Sequence, residues 1–257
     1  MSTGVSAGVS QLSKRCGGFR SLATNNSVQW EPISLGDSLP CPSGYNASEY
    51  GLYVDCVIRH FLSPPGEFRD HFAESASKIK RGDFAPRVRR AYARARGPLP
   101  TARVLAALLT VSKAKWAFIS GEWAPSKFRS SLLGASWFAR LQHILAACLP
   151  AGDAYTNFGV RYTDESRNSV YGEPDALVGE TVIELKACKT MQCISQWKCQ
   201  ALMYAAILRR NDAPVKEARI VNIACGVYVR ADLASWSEHE TLAWACSSQS
   251  RKGPTCT

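Results

Sequence analysis

The pattern of apolar residues changes halfway along the chain, and no other feature constrains the fold as much. In the first half apolar residues recur at intervals of three and four, which predicts helices. The predicted helices cover 48–61, the stretch between Pro86 and Gly97, 101–115 and 126–149. In the second half short β-branched runs bounded by turn residues predict strands. The predicted strands cover 158–162, 174–178, 181–187 and 218–229, with one helix at 193–210. This order indicates an α/β (α+β) domain with a central mixed β-sheet flanked by helices and an N-terminal helical region.

The chain divides by composition into an arm and a single domain. Residues 1–46 contain nine Ser and six Gly, which predicts a flexible arm, with local structure around Val28-Gln29-Trp30. Residues 47–257 form the predicted domain, mainly helical over 47–150 and built from the sheet and its helix over 151–257.

Positive charge is concentrated in one stretch. The chain has 31 basic and 21 acidic residues, a formal net charge of +10, and 78–96 alone has eight basic residues against one acid, Asp83. The eight are Lys78, Lys80, Arg81, Arg87, Arg89, Arg90, Arg94 and Arg96. Such a cluster serves nucleic-acid phosphates, nuclear import or a solvated helix face, and nucleic-acid contact is the interpretation we favour. Tyr92 within it either stacks on a base or packs inward.

Membrane and secreted classes are disfavoured. No apolar run approaches the roughly 18 residues of a membrane span, and the first residues lack the pattern of a signal peptide. The ten cysteines include no Cys-x-x-Cys pair, so we expect reduced thiols. A metal cluster of Cys188, Cys193, Cys199 and a fourth cysteine is the alternative. We expect an intracellular protein, in the cytoplasm or nucleus, including that of a virus-infected cell.

The segment 172–186 has the pattern of a β-hairpin with acidic residues face to face. Gly179-Glu180 suits a two-residue type II′ loop, and counting outward from it places Asp175 opposite Glu184. Their Cβ atoms are then about 4.5–5.5 Å apart. Lys186, two residues after Glu184, points to the same face.

Two carboxylates so close together need a neutralising cation. Mg²⁺, held by Asp175 and Glu184 and completed by water and phosphate oxygens, supplies more charge than Lys186 alone. Such an ion acidifies water and stabilises a reacting phosphodiester, while Lys186 holds the water. A surface hairpin with an Asp/Glu/Lys salt-bridge cluster explains the spacing equally well.

The helix predicted at 193–210 has an unusual polar face. Gln192, Gln196, Gln200 and Tyr204 follow one another at intervals of four, beside an apolar stripe. A row of neutral amides suits hydrogen bonds to a nucleic-acid backbone or to catalytic groups, and we assign Gln196 to the backbone. The absence of acids from Lys186 to Arg210 agrees with a surface that faces phosphates.

Three motifs in this order resemble the RecB-like and lambda-exonuclease-like branch of the PD-(D/E)XK nuclease superfamily. They are Pro174-Asp175, Glu184-Leu185-Lys186 and Gln200-Ala201-Leu202-Met203-Tyr204. The resemblance spans 172–208 and implies a restriction-endonuclease-like core that cleaves DNA with Mg²⁺, for which Mn²⁺ can substitute. It implies that Asp175 and Glu184 bind the metal, that Lys186 assists the attacking water, and that Gln200 and Tyr204 support the site.

The family also places an acid on an upstream helix. Gly51-Leu52-Tyr53-Val54-Asp55 has the form of its Gly-x-x-x-acid motif, so the resemblance implies Asp55 as a further metal ligand. On a helical wheel Asp55 lies away from the centre of the Tyr50/Val54/Val57/Phe61 stripe, which leaves a solvated position open, with Glu49 as the next candidate.

These observations predict a Mg²⁺-dependent DNA nuclease, an exonuclease or end-processing enzyme of recombination, replication or genome processing. Its partners are then single- or double-stranded DNA, together with a second copy of the chain or a recombination protein. The alternative is a catalytically inactive scaffold that binds nucleic acid and keeps a nuclease-like fold.

Overall fold

A computed structural model describes residues 6–14, 28–43, 45–64, 66–70, 84–98, 101–120 and 134–250. Seven helices lie in these ranges: α1 Val9–Lys14, α2 Ala47–Leu62, α3 Phe84–Ala95, α4 Ala102–Ser120, α5 Ala135–Cys148, α6 Ile194–Arg210 and α7 His239–Ser250. The strands are β1 Ser6–Gly8, β2 Trp30–Ser34, β3 Ala154–Tyr155, β4 Val160–Thr163, β5 Ser169–Gly172, β6 Ala176–Val178, β7 Thr181–Lys186, β8 Glu217–Asn222 and β9 Val227–Asp232. The predicted class of a mixed sheet flanked by helices is confirmed.

The main sheet has six strands in the order β2-β9-β8-β7-β6-β3. β7 and β8 run parallel, and the other neighbours are antiparallel. The parallel pair is joined through α6, as a crossover connection requires. β7 is buried from Thr181 to Leu185, the near-continuous burial expected for a central strand.

Helices cover both faces of this sheet. On one face α2, α3, α4 and α5 form a core with Ile183, Leu185 and Val221. On the other face α1, α6 and α7 pack against Val182 and Ile220. A small sheet of order β1-β5-β4 contributes to this second core. Alternate residues of β7 therefore belong to different layers, as the period of a strand dictates.

Helix ends follow their local sequence. Asn46 accepts hydrogen bonds from the backbone N–H of Ser48 (2.9 Å) and of Glu49 (3.2 Å) at the start of α2. The helix ends at Leu62, and Ser63 is its C-cap. The predicted helix at 126–149 is described from Ala135 onward, and its first residues lie outside the described part. None of the helices in the described part has the length and apolarity to cross a membrane.

Two predictions about the chain's course are wrong. The run 218–229 forms two strands, because the chain reverses between Asn222 and Val227, where Gly226 adopts φ 64°. The predicted arm, in its described part, belongs to the fold: Val9 and Leu12 are buried in the core, and β2 pairs with β9 to become an edge strand of the main sheet. A Ser- and Gly-rich composition does not prevent an extended chain from pairing with an open sheet edge.

Candidate functional site

The predicted hairpin forms with the predicted register. β6 and β7 pair antiparallel, with Ala176 opposite Ile183, and the loop glycine Gly179 has φ 55°. A positive φ at the first loop position fits the type II′ turn. One further step along the register brings Asp175 beside Glu184.

Glu184 is the most unusual group in this region. Its side chain is 3% exposed, one oxygen (Oε1) pairs with Lys186 Nζ, and the other (Oε2) has no hydrogen-bond partner in the described part of the chain. Burial, reinforced by the charge of Asp175, raises the pKa of Glu184 to about 8 against the opposing pull of Lys186 and Arg59. The site therefore retains a proton near neutral pH unless another cation takes its place.

Lys186 stays charged beside this carboxyl group. Burial alone lowers the pKa of an amine, but attraction to Glu184 and then to Asp175 outweighs it and raises the pKa of Lys186. Asp175 accepts a hydrogen bond from the backbone N–H of Leu185 at 2.7 Å (Oδ2), which ties its side chain to the same strand.

An arginine that the sequence analysis missed connects the carboxylates. Arg59 Nη2 lies 3.0 Å from Asp175 Oδ1, Arg59 Nε lies 2.7 Å from Asp55 Oδ1, and Nη1 pairs with Glu173. Lys115 Nζ lies 2.9 Å from Asp55 Oδ2. Burial acts to raise the pKa of Asp55, but Arg59 and Lys115 outweigh it and hold that pKa far below its usual range. Each carboxylate oxygen of Asp55 is thus occupied by a cation.

The buried face of α2 is centred on other residues than the predicted stripe. Phe61, placed in the buried stripe, is 38% exposed, whereas Arg59 on the neighbouring face is 5% exposed. α2 is buried around most of its circumference, so Asp55 is not solvated: its side chain is 16% exposed and pairs with Arg59. The spacing of Asp55 and Arg59, four residues apart on one helix, was the available signal. Glu49 does not line the cavity that holds Asp55.

Tyr204 and Gln200 lie next to the hairpin. Tyr204 is 3% exposed, its hydroxyl hydrogen-bonds with the Gln200 side chain and the backbone of Glu173, and burial raises its pKa. A Cβ at Gly172 would lie 2.7 Å from the Tyr204 ring, so only glycine fits there. Gln196 lies one turn away on α6, half-exposed.

A cavity of about 650 Å³ opens between α2, α4 and the end of β7. Its charged lining residues are Asp55, Arg59, Lys115, Asp175, Lys186 and Lys189, four basic against two acidic. Apolar side chains, including Trp116 and Leu185, form the remaining wall. An excess of positive charge over an apolar floor favours an anionic ligand.

The three predicted metal ligands do not share one point. The described residues contain no group of three or more His, Cys, Asp or Glu side chains able to hold a metal ion. In this arrangement Arg59 and Lys115 bind the two carboxylate oxygens of Asp55, so its role as a metal ligand stays a prediction. Asp175 and Glu184 lie next to each other: Asp175 contacts Arg59 and the Leu185 N–H, and Glu184 Oε2 is buried with no hydrogen-bond partner in the described part of the chain. One or two carboxylates plus water and phosphate oxygens are the usual Mg²⁺ ligand set, so these two residues fit that ion.

The basic stretch is only partly described. Arg87, Arg89, Arg90 and Arg94 are exposed on α3 and Arg96 is exposed directly after it, whereas Lys78, Lys80 and Arg81 lie outside the described residues. Tyr92 packs inward: its hydroxyl accepts a hydrogen bond from the backbone N–H of Asp70 at 3.1 Å. Its half-buried ring packs against Phe68, with 6.1 Å between the ring centroids.

The described cysteines are free thiols. Cys225 and Cys188 approach one another, since the Cys225 thiol donates to the Cys188 carbonyl oxygen at 3.1 Å. The buried Asn222 side chain also contacts Cys225, at 3.2 Å. The described part of the chain holds no cysteine cluster suited to a metal.

The chain matches no protein-family model, no curated protein and no solved structure significantly. The nuclease resemblance therefore stays a prediction that only the residues above support.

Proposed function

We propose that the protein is a Mg²⁺-dependent DNA nuclease, acting as an exonuclease or on DNA ends. One observation carries the proposal: a buried carboxyl group, Glu184, has an unpartnered oxygen beside Asp175 and Lys186, on a hairpin at the edge of a cationic cavity. A buried carboxyl oxygen without a hydrogen-bond partner costs stability, and carboxyl groups with such perturbed surroundings cluster at functional sites.

The roles of the residues follow from their contacts. Asp175 and Glu184 would hold Mg²⁺, or Mn²⁺ in its place, and the bound ion supplies charge stabilisation and a more acidic water. Lys186, charged and fixed by Glu184, holds the attacking water and offsets negative charge. Tyr204 and Gln200 pack next to the hairpin and stabilise the positions of Asp175 and Glu184.

The cations of the cavity bind the substrate. Arg59, Lys115 and Lys189 line the same space as Lys186, and a phosphodiester entering it meets their combined charge. Arg59 is also a positioning residue, because it ties Asp175 to α2.

The test compares three variants on labelled linear DNA with Mg²⁺ or with chelator. Glu184→Gln and Lys186→Ala should each lower cleavage at least about a hundredfold while circular dichroism stays unchanged. Glu180→Gln, in the exposed loop of the same hairpin, is the matched control and should cleave normally. Full activity of Glu184→Gln, or cleavage that persists in chelator, would contradict the proposal. An exonuclease should spare circular DNA, and an endonuclease should not.

One observation favours a second candidate, the inactive nucleic-acid-binding scaffold. Arg59 and Lys115 already neutralise Asp55 and Asp175, so the chain itself supplies the positive charge that a metal ion would otherwise provide. This candidate predicts DNA binding that chelator does not change and no cleavage under any metal.

A further inference from the structure

Four arginines surround a groove between two helices, away from the hairpin. α3 contributes Arg87, Arg90 and Arg94, and α4 contributes Arg103. The groove encloses about 400 Å³. Its floor consists of Ala91, Ala106, Ala107 and Thr110, whose small side chains leave the space open.

Among the described residues, no acid pairs with these arginines. None of the groove-lining residues is acidic, and in the described part of the chain no ion pair involves any of the four. On α3 they lie at intervals of three and four, so they share one face, opposite the buried Val88 and Ala95. Arg103 lies outside the basic run 78–96, so the cluster arises from packing and not from composition alone.

The groove and the cavity of the candidate site share one helix, α4, which contributes Arg103 to the groove and Lys115 to the cavity. Arg103 and Lys115 are twelve residues apart on this helix, about 18 Å at 1.5 Å per residue. That length corresponds to about five base pairs at 3.4 Å each. Lys113 lies between them on α4. Burial lowers the pKa of Lys113, Glu49 opposes this shift, and the nearby charge of Arg87 adds to it.

We infer that the groove of Arg87, Arg90, Arg94 and Arg103 binds the phosphate backbone of DNA about five base pairs from the phosphodiester in the cavity. The inference rests on the proposed function and names where its substrate is held. From Arg87 to Arg94 the helix rises about 10 Å, roughly three base pairs, so several arginines reach one backbone. Contacts to phosphates fix the position of the duplex and carry no sequence preference.

The test is binding of a fluorescently labelled DNA duplex of about 20 base pairs to the full chain in chelator, so that affinity is measured without cleavage. Arg94→Gln and Arg103→Gln each remove one phosphate contact, one from each helix. Each should weaken binding about eightfold at 0.1 M salt and reduce the slope of log K against log salt by about 0.9. Arg161→Gln is the matched control, since Arg161 is an exposed arginine of β4 that lies outside the basic stretch 78–96 and does not line the groove. It should change affinity less than about twofold.

Equal losses in all three variants would show that diffuse charge, and not the groove, binds DNA, and would overturn the inference. A loss for Arg94→Gln alone, or no DNA binding by the unmodified protein, would overturn it as well. Binding with the expected pattern but no cleavage with Mg²⁺ removes the nuclease proposal and leaves the groove inference standing.

Discussion

Replacing Glu184 by glutamine should remove a pH-dependent loss of stability. Glutamine has nearly the shape of glutamate but no ionisable proton, so it keeps the packing of this buried position and removes its charge. The effect comes from the upward shift in the pKa of Glu184, from 4.5 to about 8, which burial dominates.

The sign follows from proton binding. Between pH 4.5 and about 8 the folded protein keeps the Glu184 proton, whereas the unfolded chain releases it. The free energy of unfolding therefore falls as pH rises, by at most about 1.4 kcal/mol per pH unit and about 5 kcal/mol in total. From about pH 5.5 to about pH 7.5 the wild type should lose up to roughly 3 kcal/mol relative to Glu184→Gln, or about 5–10 °C in Tm.

The assay is thermal and urea denaturation of both proteins across this pH range, first in chelator and then with Mg²⁺. Other groups titrate too, so the two proteins are compared by the difference in their free energies of unfolding at each pH. Glu180→Gln, on the exposed loop, serves as the control and should follow the wild type. Mg²⁺ should restore the wild type at high pH and leave Glu184→Gln unchanged, because the ion replaces the retained proton.

Parallel stability curves for wild type and Glu184→Gln in chelator would refute the reasoning, since they would show that Glu184 has an ordinary pKa in the folded protein. Equal stabilisation of both proteins by Mg²⁺ would refute the prediction that the ion replaces the Glu184 proton, because the ion would then bind elsewhere.

Two further predictions concern the groups around Glu184. Asp55→Asn should lower the free energy of unfolding by about 3 kcal/mol in urea denaturation, because it leaves Arg59 and Lys115 buried with one counter-charge fewer, and a loss under about 1 kcal/mol would contradict this. Gly172→Ala should cost about 1–3 kcal/mol and reduce DNA cleavage, because the new Cβ would lie 2.7 Å from the buried Tyr204 ring; wild-type stability and cleavage rate would show that the ring moves freely.

Some of this protein can be predicted from short stretches of sequence. The register of β6 and β7 follows from a two-residue loop and strand alternation, and the bounds of α6 follow from helical periodicity to within one residue. These rules act over a few neighbouring residues, and that range is enough to bring Asp175, Glu184 and Lys186 together.

Other features depend on residues far apart in the chain. Arg59 meets Asp175 across 116 positions, Lys115 meets Asp55 across 60, and Arg103 joins the arginines of α3 only because α4 packs against it. Similarly, β2 becomes a strand by pairing with β9 and not by its own composition. No local pattern encodes such contacts, because each depends on how whole helices and strands pack around the sheet. Sequence alone therefore determined which acids face each other, and tertiary structure decided which cations neutralise them.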